Sequence, residues 1–436
     1  MAMIKSTTGN FPSSIPDFWF KKELLDFGDY SLLYRKFAKK EKLPPGNGVS
    51  WKANRYTRIE IPMDALSEGV TPDETSMQIE QVSCTAAQYG MVVTLTDVLQ
   101  LTMDHPVLQK AVELVKEAMD RLDSEIICEV LLAGTVVQFA NASAGSNNSR
   151  DDLAATDVFS TTEIKLAVAQ LEFPDDTWGS APKFSGGKYA CILHRKHELD
   201  LLNDSLWKDM AIRQDKSALE KGAVMSWMGV DFYITNWGPK FHTLGDPSLT
   251  DGVAVTSTVG LDGAKFDSYN GAGAFSASTA YDFVITRRHK HRRFEDGISG
   301  VLDISTGAGE DTFDVTMPTS TSYVYNLYSG TDGGTLYRVA ANQAAASVVT
   351  LLAVGSSGVV APVSPATGVN VYASWIMGKD AYAVVDLENL DAGITDDARV
   401  GEDPLKQRRK VAAKFFLGGL ILADNNLVRV EAASAY

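Results

Sequence analysis

Apolar residues recur along segment 104–134, DHPVLQKAVELVKEAMDRLDSEIICEVLLAG, at Leu108, Ala111, Val115, Ala118, Met119, Leu122, Ile126, Val130 and Ala133. That i, i+3, i+4 spacing is one face of an amphipathic helix. Glu113, Lys116, Glu117, Asp120, Arg121 and Asp123 are read onto the opposite face. Asp104 can accept backbone N–H bonds as N-cap, Pro106 loses no donor in the first turn, and Gly134 supplies a left-handed stop. About 30 residues at ~1.5 Å each make a rod of roughly 45 Å, long for a globular helix.

The pattern changes on either side of this rod. Residues 1–45 mix aromatic and charged positions; Pro12 and Pro16 forbid one continuous helix, although 21–39 reads as a short amphipathic one. The segment is too short for a core of its own and is expected to lie as an arm on another surface. Residues 49–96 alternate, through Tyr56, Ile59 and Ile61 and again through Ile79, Val82, Cys84, Met91, Val93 and Leu95, around a turn-rich centre at 66–74. This predicts a long hairpin, which needs a surface to lie against because an isolated hairpin is not stable.

After a polar linker at 134–154, a helix is expected at 161–171, a buried strand at 187–194, a helix at 196–203 and a strand pair within 219–237. From 245 to about 369 the chain is rich in Gly, Ser, Thr and Ala, with short strands at 301–304, 313–317, 323–328, 336–339 and 348–353. Strands at that spacing, separated by turn clusters, predict a small sandwich or barrel inserted into a mixed α/β body. Strands are expected again at 372–377, 381–387, 411–421 and 427–430.

Composition narrows the class. With 436 residues, 45% apolar and 22% charged, the chain is long enough for several globular parts. No apolar run approaches the 18 or so residues of a membrane span, and the first 20 residues do not read as a signal peptide. Cys84, Cys128 and Cys191 are far apart and form no CxxC, which points to buried thiols in a reducing compartment. A formal charge of −15 argues against general nucleic-acid binding.

Catalytic signatures are weak, and no enzyme activity or cofactor is expected. Gly186-Gly187-Lys188 has the end of a phosphate loop, but Pro182 replaces the leading glycine and Tyr189 the magnesium-binding hydroxyl. His194 and His197 have helical spacing but no third metal ligand nearby. The most concentrated charge is Arg287, Arg288, Lys290, Arg292 and Arg293 with His289 and His291; between 241 and 370 these five are most of the 7 basic residues against 12 acidic ones. Such a run binds nucleic acid, pairs with carboxylates of a neighbouring subunit or is solvated, and the second reading is favoured.

The order of these parts resembles the major capsid proteins of tailed phages, with the Hong Kong 97-type fold. Local motifs are similar to the N-four-like branch: Leu66-Ser67-Glu68-Gly69 with Pro72, Gln88-Tyr89-Gly90, Leu95-Thr96-Asp97, Gly187-Lys188-Tyr189 with His194, and Asp204 to Trp207. Further on come Gly222, Gly229-Val230-Asp231-Phe232, Met377-Gly378-Lys379-Asp380-Ala381-Tyr382, and Asp403-Pro404-Leu405 followed by Lys414, Phe415 and Leu427-Val428-Arg429. The match covers roughly 1–240 and 370–436.

The resemblance implies an α+β chain with an N-arm (1–48), an extended loop (49–97), a peripheral domain with the spine helix (98–154) and an axial domain (155–243, returning at 370–400). C-terminal peripheral strands (401–436) complete it. The inserted all-β domain (244–369) departs from the family pattern, being longer than that pattern requires, and is expected on the outer face of a shell. Such a chain assembles with itself into hexamers and pentamers of an icosahedral head. The partners implied are portal, scaffolding and decoration proteins, with packaged DNA enclosed non-specifically and no membrane. Assembly in the host bacterial cytoplasm is implied as well. Glu68, Gly69, Pro72, Asp73, Glu74 and the five cations of the basic run are the candidate intersubunit residues. The alternatives are a cellular encapsulin-like nanocompartment shell and a β-rich surface adhesin.

Overall fold

The computed structural model describes residues 33–44, 48–56, 59, 76–102, 107–141, 147–173, 179–214, 227–244, 261–366, 368–387, 391–395 and 408–434. They fall into two units, one of 1–131, 175–178 and 380–423, the other of 132–174, 179–379 and 424–436.

In the first unit the spine helix runs Val107–Leu132. Ala111, Val115, Met119, Ile126 and Leu131 are buried, as the periodicity requires. Asp123, read as solvent-facing, is buried instead, together with Ser124 and Glu125. The reason is that the chain covers the C-terminal half of the helix on more than one side, so its apolar stripe understates its burial. Beside it lies a sheet built on the 14-residue strand Arg408–Ile421, which pairs along its length with Ala87–Thr96, Asp391–Thr395 and Tyr382–Asp386. Val411, Ala413, Phe415 and Leu417 alternate inward, the period-2 pattern of a half-buried strand.

Of the helix expected over 21–39, residues 21–32 lie outside the described residues, Leu33–Phe37 is helical, and Lys39–Lys42 is a strand parallel to Tyr382–Asp386. Two expectations change here. The expected single strand at 77–96 is two, Ile79–Thr85 and Ala87–Thr96. They part at buried Ala86, whose N–H donates to Val49 O at 2.9 Å. The first part pairs with Ser50–Tyr56 and the second joins the sheet on Arg408–Ile421, so only half of the segment forms a hairpin. Gly418 permits the junction: a Cβ there would lie 2.6 Å from Cys84 Sγ. Asp391–Thr395, in a stretch that reads as a loop, completes the sheet.

The second unit holds an 11-stranded sheet. Asn370–Met377 sits at its centre, buried from Val371 onward, between Leu427–Ala433 on one side and Lys240–Thr243 and Tyr189–His194 on the other. The polar linker contributes Val137–Phe139, which pairs with Leu427–Ala433. Helices Thr161–Glu172 and Arg195–Asn203 pack on this sheet, capped by Ser160 Oγ and by His194 Nδ1. The helix Ser205–Gln214 follows, unforeseen because its apolar spacing is short and irregular. The closing strands, both expected in one peripheral domain, divide: Arg408–Ile421 belongs to the first unit and Leu427–Ala433 to the second.

The inserted β-domain is present. Lys265–Tyr269, Thr312–Thr316 and Val348–Leu351 form a three-stranded sheet, with Thr312–Thr316 in the middle. It packs on Ala280–His289, Leu302–Ser305, Tyr323–Thr331 and Tyr337–Gln343 through Phe266, Phe283, Phe313, Ile285, Leu327 and Ile304. The Phe266, Phe283 and Phe313 rings meet at 5.1–5.2 Å, tilted or edge to face. The larger layer does not stop at the insertion. Gly297–Ile298 pairs with His242 and Thr243, which carries the sheet on into the body. The 10-residue strand Ala280–His289 at the heart of this layer was hidden in sequence, because its last residues belong to the basic run.

Candidate assembly interface

The hairpin Ser50–Tyr56 with Ile79–Thr85 is in register from Ser50 opposite Thr85 to Tyr56 opposite Ile79. Its base is anchored, with Cys84 and Ala86 buried beside Leu43, Ala383, Val385 and Leu420. Its far end is bare: Tyr56 is 64% exposed, Ile79 57% and Met77 64%. Arg55 pairs with Glu80 and Gln81 with Asn54 across the strands, so polar groups hold the ribbon while the apolar ones face water. Large apolar groups exposed side by side make this ribbon a candidate contact surface. Of the candidate residues, Glu68, Gly69, Pro72, Asp73 and Glu74 lie outside the described residues.

The start of the arm is latched to the first unit. Arg35 donates to Asp123 Oδ1 at 2.8 Å and to Asp386, and Tyr382 Oη donates to Tyr34 O. Nothing in the sequence pattern marks this site, since Asp123 reads as part of the polar face of the spine helix. One guanidinium serves two carboxylates, so Asp123 is not fully compensated. Burial pushes its carboxyl up to about 6 against the pull of Arg35. The folded chain therefore keeps this proton up to about pH 6, whereas the unfolded chain loses it near 3.8. The stability linked to it falls as pH rises across that window. Arg35→Ala is expected to cost about 3 kcal/mol at pH 8, by leaving buried carboxylates unpaired, and distinctly less at pH 5. Chemical denaturation at the two pH values checks this; equal losses would contradict it.

The basic run ends the strand Ala280–His289 and turns at Lys290 and His291. Much of it is used within the chain. Arg287 stacks on Tyr323 at 4.3 Å and meets His242. Arg292 lies 5.5 Å from the Trp237 ring and 5.1 Å from Phe294, and donates to Gly238 O at 3.3 Å. Arg288 donates to Arg292 O at 2.7 Å and to Asn342 Oδ1 at 2.6 Å. Arg293 is half-buried, whereas Lys290 and His291 are exposed. Aromatic faces, main-chain oxygens and the nearby Asp296 thus take up much of this charge within the chain.

Next to the run lies a histidine group. His197 is fully buried between Ser374 Oγ, at 2.7 Å, and Ala432 O, at 3.2 Å, with its ring stacked on Phe159. The ring of His194 lies 4.4 Å from that of Tyr372 and is packed so closely that a Cβ on Gly238 would fall 2.8 Å from it. Both are committed to structural partners, and no group of three or more His, Cys, Asp or Glu among the described residues is arranged to hold a metal. Burial drives His197 down to about 3; burial and then Arg292 drive His194 to about 4; burial and then Arg287 drive His242 to about 4. All three are neutral when folded, so the stability they give is complete above about 6.5, the usual histidine value, and is lost as pH falls toward 4. Thermal melts from pH 7 to 4 are expected to fall across this window, and His242→Gln is expected to flatten the slope. A melting temperature independent of pH there would contradict this.

A buried triad that sequence reasoning missed closes the second unit. Glu431 accepts from Arg150 at 2.7 Å through both oxygens and lies 3.0 Å from Arg429. Arg150 also sits 3.7 Å from the Phe241 ring and donates to Val363 O at 3.1 Å. It thereby ties the end of the insertion to the central sheet.

The architecture is that of phage capsid chains. A chain of the cyanophage Pam1 capsid asymmetric unit superposes with a TM-score of 0.54 at 12% identity, over 100% of both chains. A chain from the head structure of Helicobacter pylori bacteriophage KHP40 matches with a TM-score of 0.53 at 9% identity, over 99% of each. One from the capsid of Ralstonia phage GP4 gives 0.50 at 11%, over 99% of this chain and 98% of that one. No family model matches the sequence, and no curated protein does. The narrower N-four-like resemblance therefore rests on its motifs alone.

Proposed function

We propose that this chain is the major capsid protein of a tailed phage, a structural subunit that assembles with itself into the hexamers and pentamers of an icosahedral head around double-stranded DNA. The observation that carries this reading is the end-to-end likeness to capsid chains, at 100% coverage of both partners in one case. The anchored hairpin with its bare apolar end supports it, because that surface gains burial only from a neighbour. The acidic charge of −15 per subunit suits a wall that encloses DNA without gripping it. Portal, scaffolding and decoration proteins are the further partners of this role, with assembly in the host cytoplasm. We infer further that the insertion lies on the outer face of the shell, as an exposed domain whose two ends return to the body.

A cellular nanocompartment shell is the alternative within this fold, and a cargo-binding site would reveal it; no feature of the described residues favours an adhesin. Sedimentation velocity of the purified chain tests the reading. Capsomers or megadalton particles are expected; a monomer at all concentrations and in the presence of co-expressed phage head proteins would refute it.

A further inference from the structure

Resting on the capsid reading, we propose that the inserted domain joins neighbouring copies head to tail, the basic turn Lys290–His291 of one copy docking on the acidic end formed by Asp303 and Asp332 of the next. Both patches belong to the same strand system. Asp282 lies near the start of Ala280–His289, with Asp303 directly opposite it in the adjacent strand. Asp332 lies in the turn after Tyr323–Thr331, where the Gly333 N–H donates to Asp282 Oδ2 at 2.8 Å. Asp303 and Asp332 are exposed, while Asp282 is buried between them. Burial first, then Asp332 and Asp303, hold the Asp282 carboxyl above the usual range, and the side-chain charges acting on it are both negative.

The cations gather at the other end of the same strand. His289 lies seven positions beyond Asp282, roughly 23 Å at ~3.3 Å per step. Charges are screened over about 8 Å at physiological salt. The two ends therefore cannot compensate each other within one copy. At the basic end Asp296 faces Arg287 and Arg292, so what that end presents outward is the exposed Lys290–His291 turn. The acidic end presents Asp303 and Asp332, and a second copy supplies the opposite charge to each. The contact is heterologous, one surface meeting a different one, and such contacts form rings where the rotation between copies closes. A ring of insertions is the arrangement that five or six copies around a common axis require. A polyanion bound at Lys290 and His291 would explain one end of the strand and leave the acidic end unmatched.

The test uses the full chain and its assembled particles. Lys290→Glu with His291→Glu, and separately Asp303→Lys with Asp332→Lys, each place like charge against like. Each pair is expected to lower particle yield at physiological ionic strength about tenfold, equivalent to about 1.4 kcal/mol. Combining all four in one chain restores opposite charge at every contact, and yield is expected to return to within about threefold of the unsubstituted chain. Melting of the unassembled subunits, expected within about 3 °C of one another, establishes that the variants fold.

Two outcomes overturn the proposal: single reversals that assemble as the unsubstituted chain does, or a fourfold variant no better than either pair. A loss confined to the Lys290 and His291 variant also overturns it, and would assign the turn to nucleic acid. If the unsubstituted chain forms no particles, the capsid reading fails first and takes this contact with it.

Discussion

Replacing Tyr56 and Ile79 together by serine is expected to abolish shell formation while leaving a folded subunit. The two residues face each other at the end of the hairpin, 64% and 57% exposed, so each subunit already tolerates water on them. Substitutions at such positions usually change stability by about 0.5 kcal/mol or less. Assembly is another matter. If the pair becomes buried under a neighbour, each side chain contributes about 1.5–3 kcal/mol at that contact. The loss recurs at every contact of a closed shell, and a tenfold weakening at each compounds over the particle. Particle yield is therefore expected to fall by at least about a hundredfold, with a melting temperature shifted by no more than about 3 °C. Normal particles from the double variant would mean that the hairpin end is not an assembly surface.

The largest effect on folding is expected from Glu431→Ala. Burial alone would push this carboxyl up, and Arg150 and Arg429 more than reverse it, so it sits below the usual range. Two guanidiniums share one carboxylate, and Arg429 is correspondingly held below its own usual value, by burial first. Removing Glu431 leaves Arg150 buried without its carboxylate and Arg429 with only the weaker pull of Asp424, a situation that costs about 3–5 kcal/mol. A fall in melting temperature of about 10 °C is expected, at roughly 2–4 °C per kcal/mol. Because the folded carboxyl is depressed, the stability it gives is complete above about 4.5 and is lost as pH falls below it. The difference between the unsubstituted chain and Glu431→Ala should therefore shrink in acid. A difference that persists undiminished at pH 3 would remove the ion pair from the explanation.

Much of the architecture was legible because local pattern and tertiary role agree. The spine helix, the strand Arg408–Ile421 with alternating Val411, Ala413, Phe415 and Leu417, and the five short strands of the insertion each carry a clear period. What escaped was set by partners distant in sequence. Val137–Phe139 is a strand because Leu427–Ala433 offers it an edge, and nothing in its polar surroundings announces that. Ala280–His289 ends in charges that read as a solvated run, yet Tyr323 and His242 take up Arg287.

The candidate assembly surface was legible only in part. Alternation located the hairpin, but the break at Ala86, which sends the following strand to Arg408–Ile421, depends on a backbone bond to Val49. The Arg35 latch and the Glu431 triad join residues far apart in the chain, 88 and 281 positions between partners, beyond the reach of any local period.

Imaging particles of the purified chain tests the central claim most directly. Closed icosahedral shells are predicted, with capsomers of five and six subunits, each subunit carrying one inserted β-domain and reaching a neighbour with its hairpin. Discrete monomers, or open fibres without five-fold and six-fold positions, would contradict it.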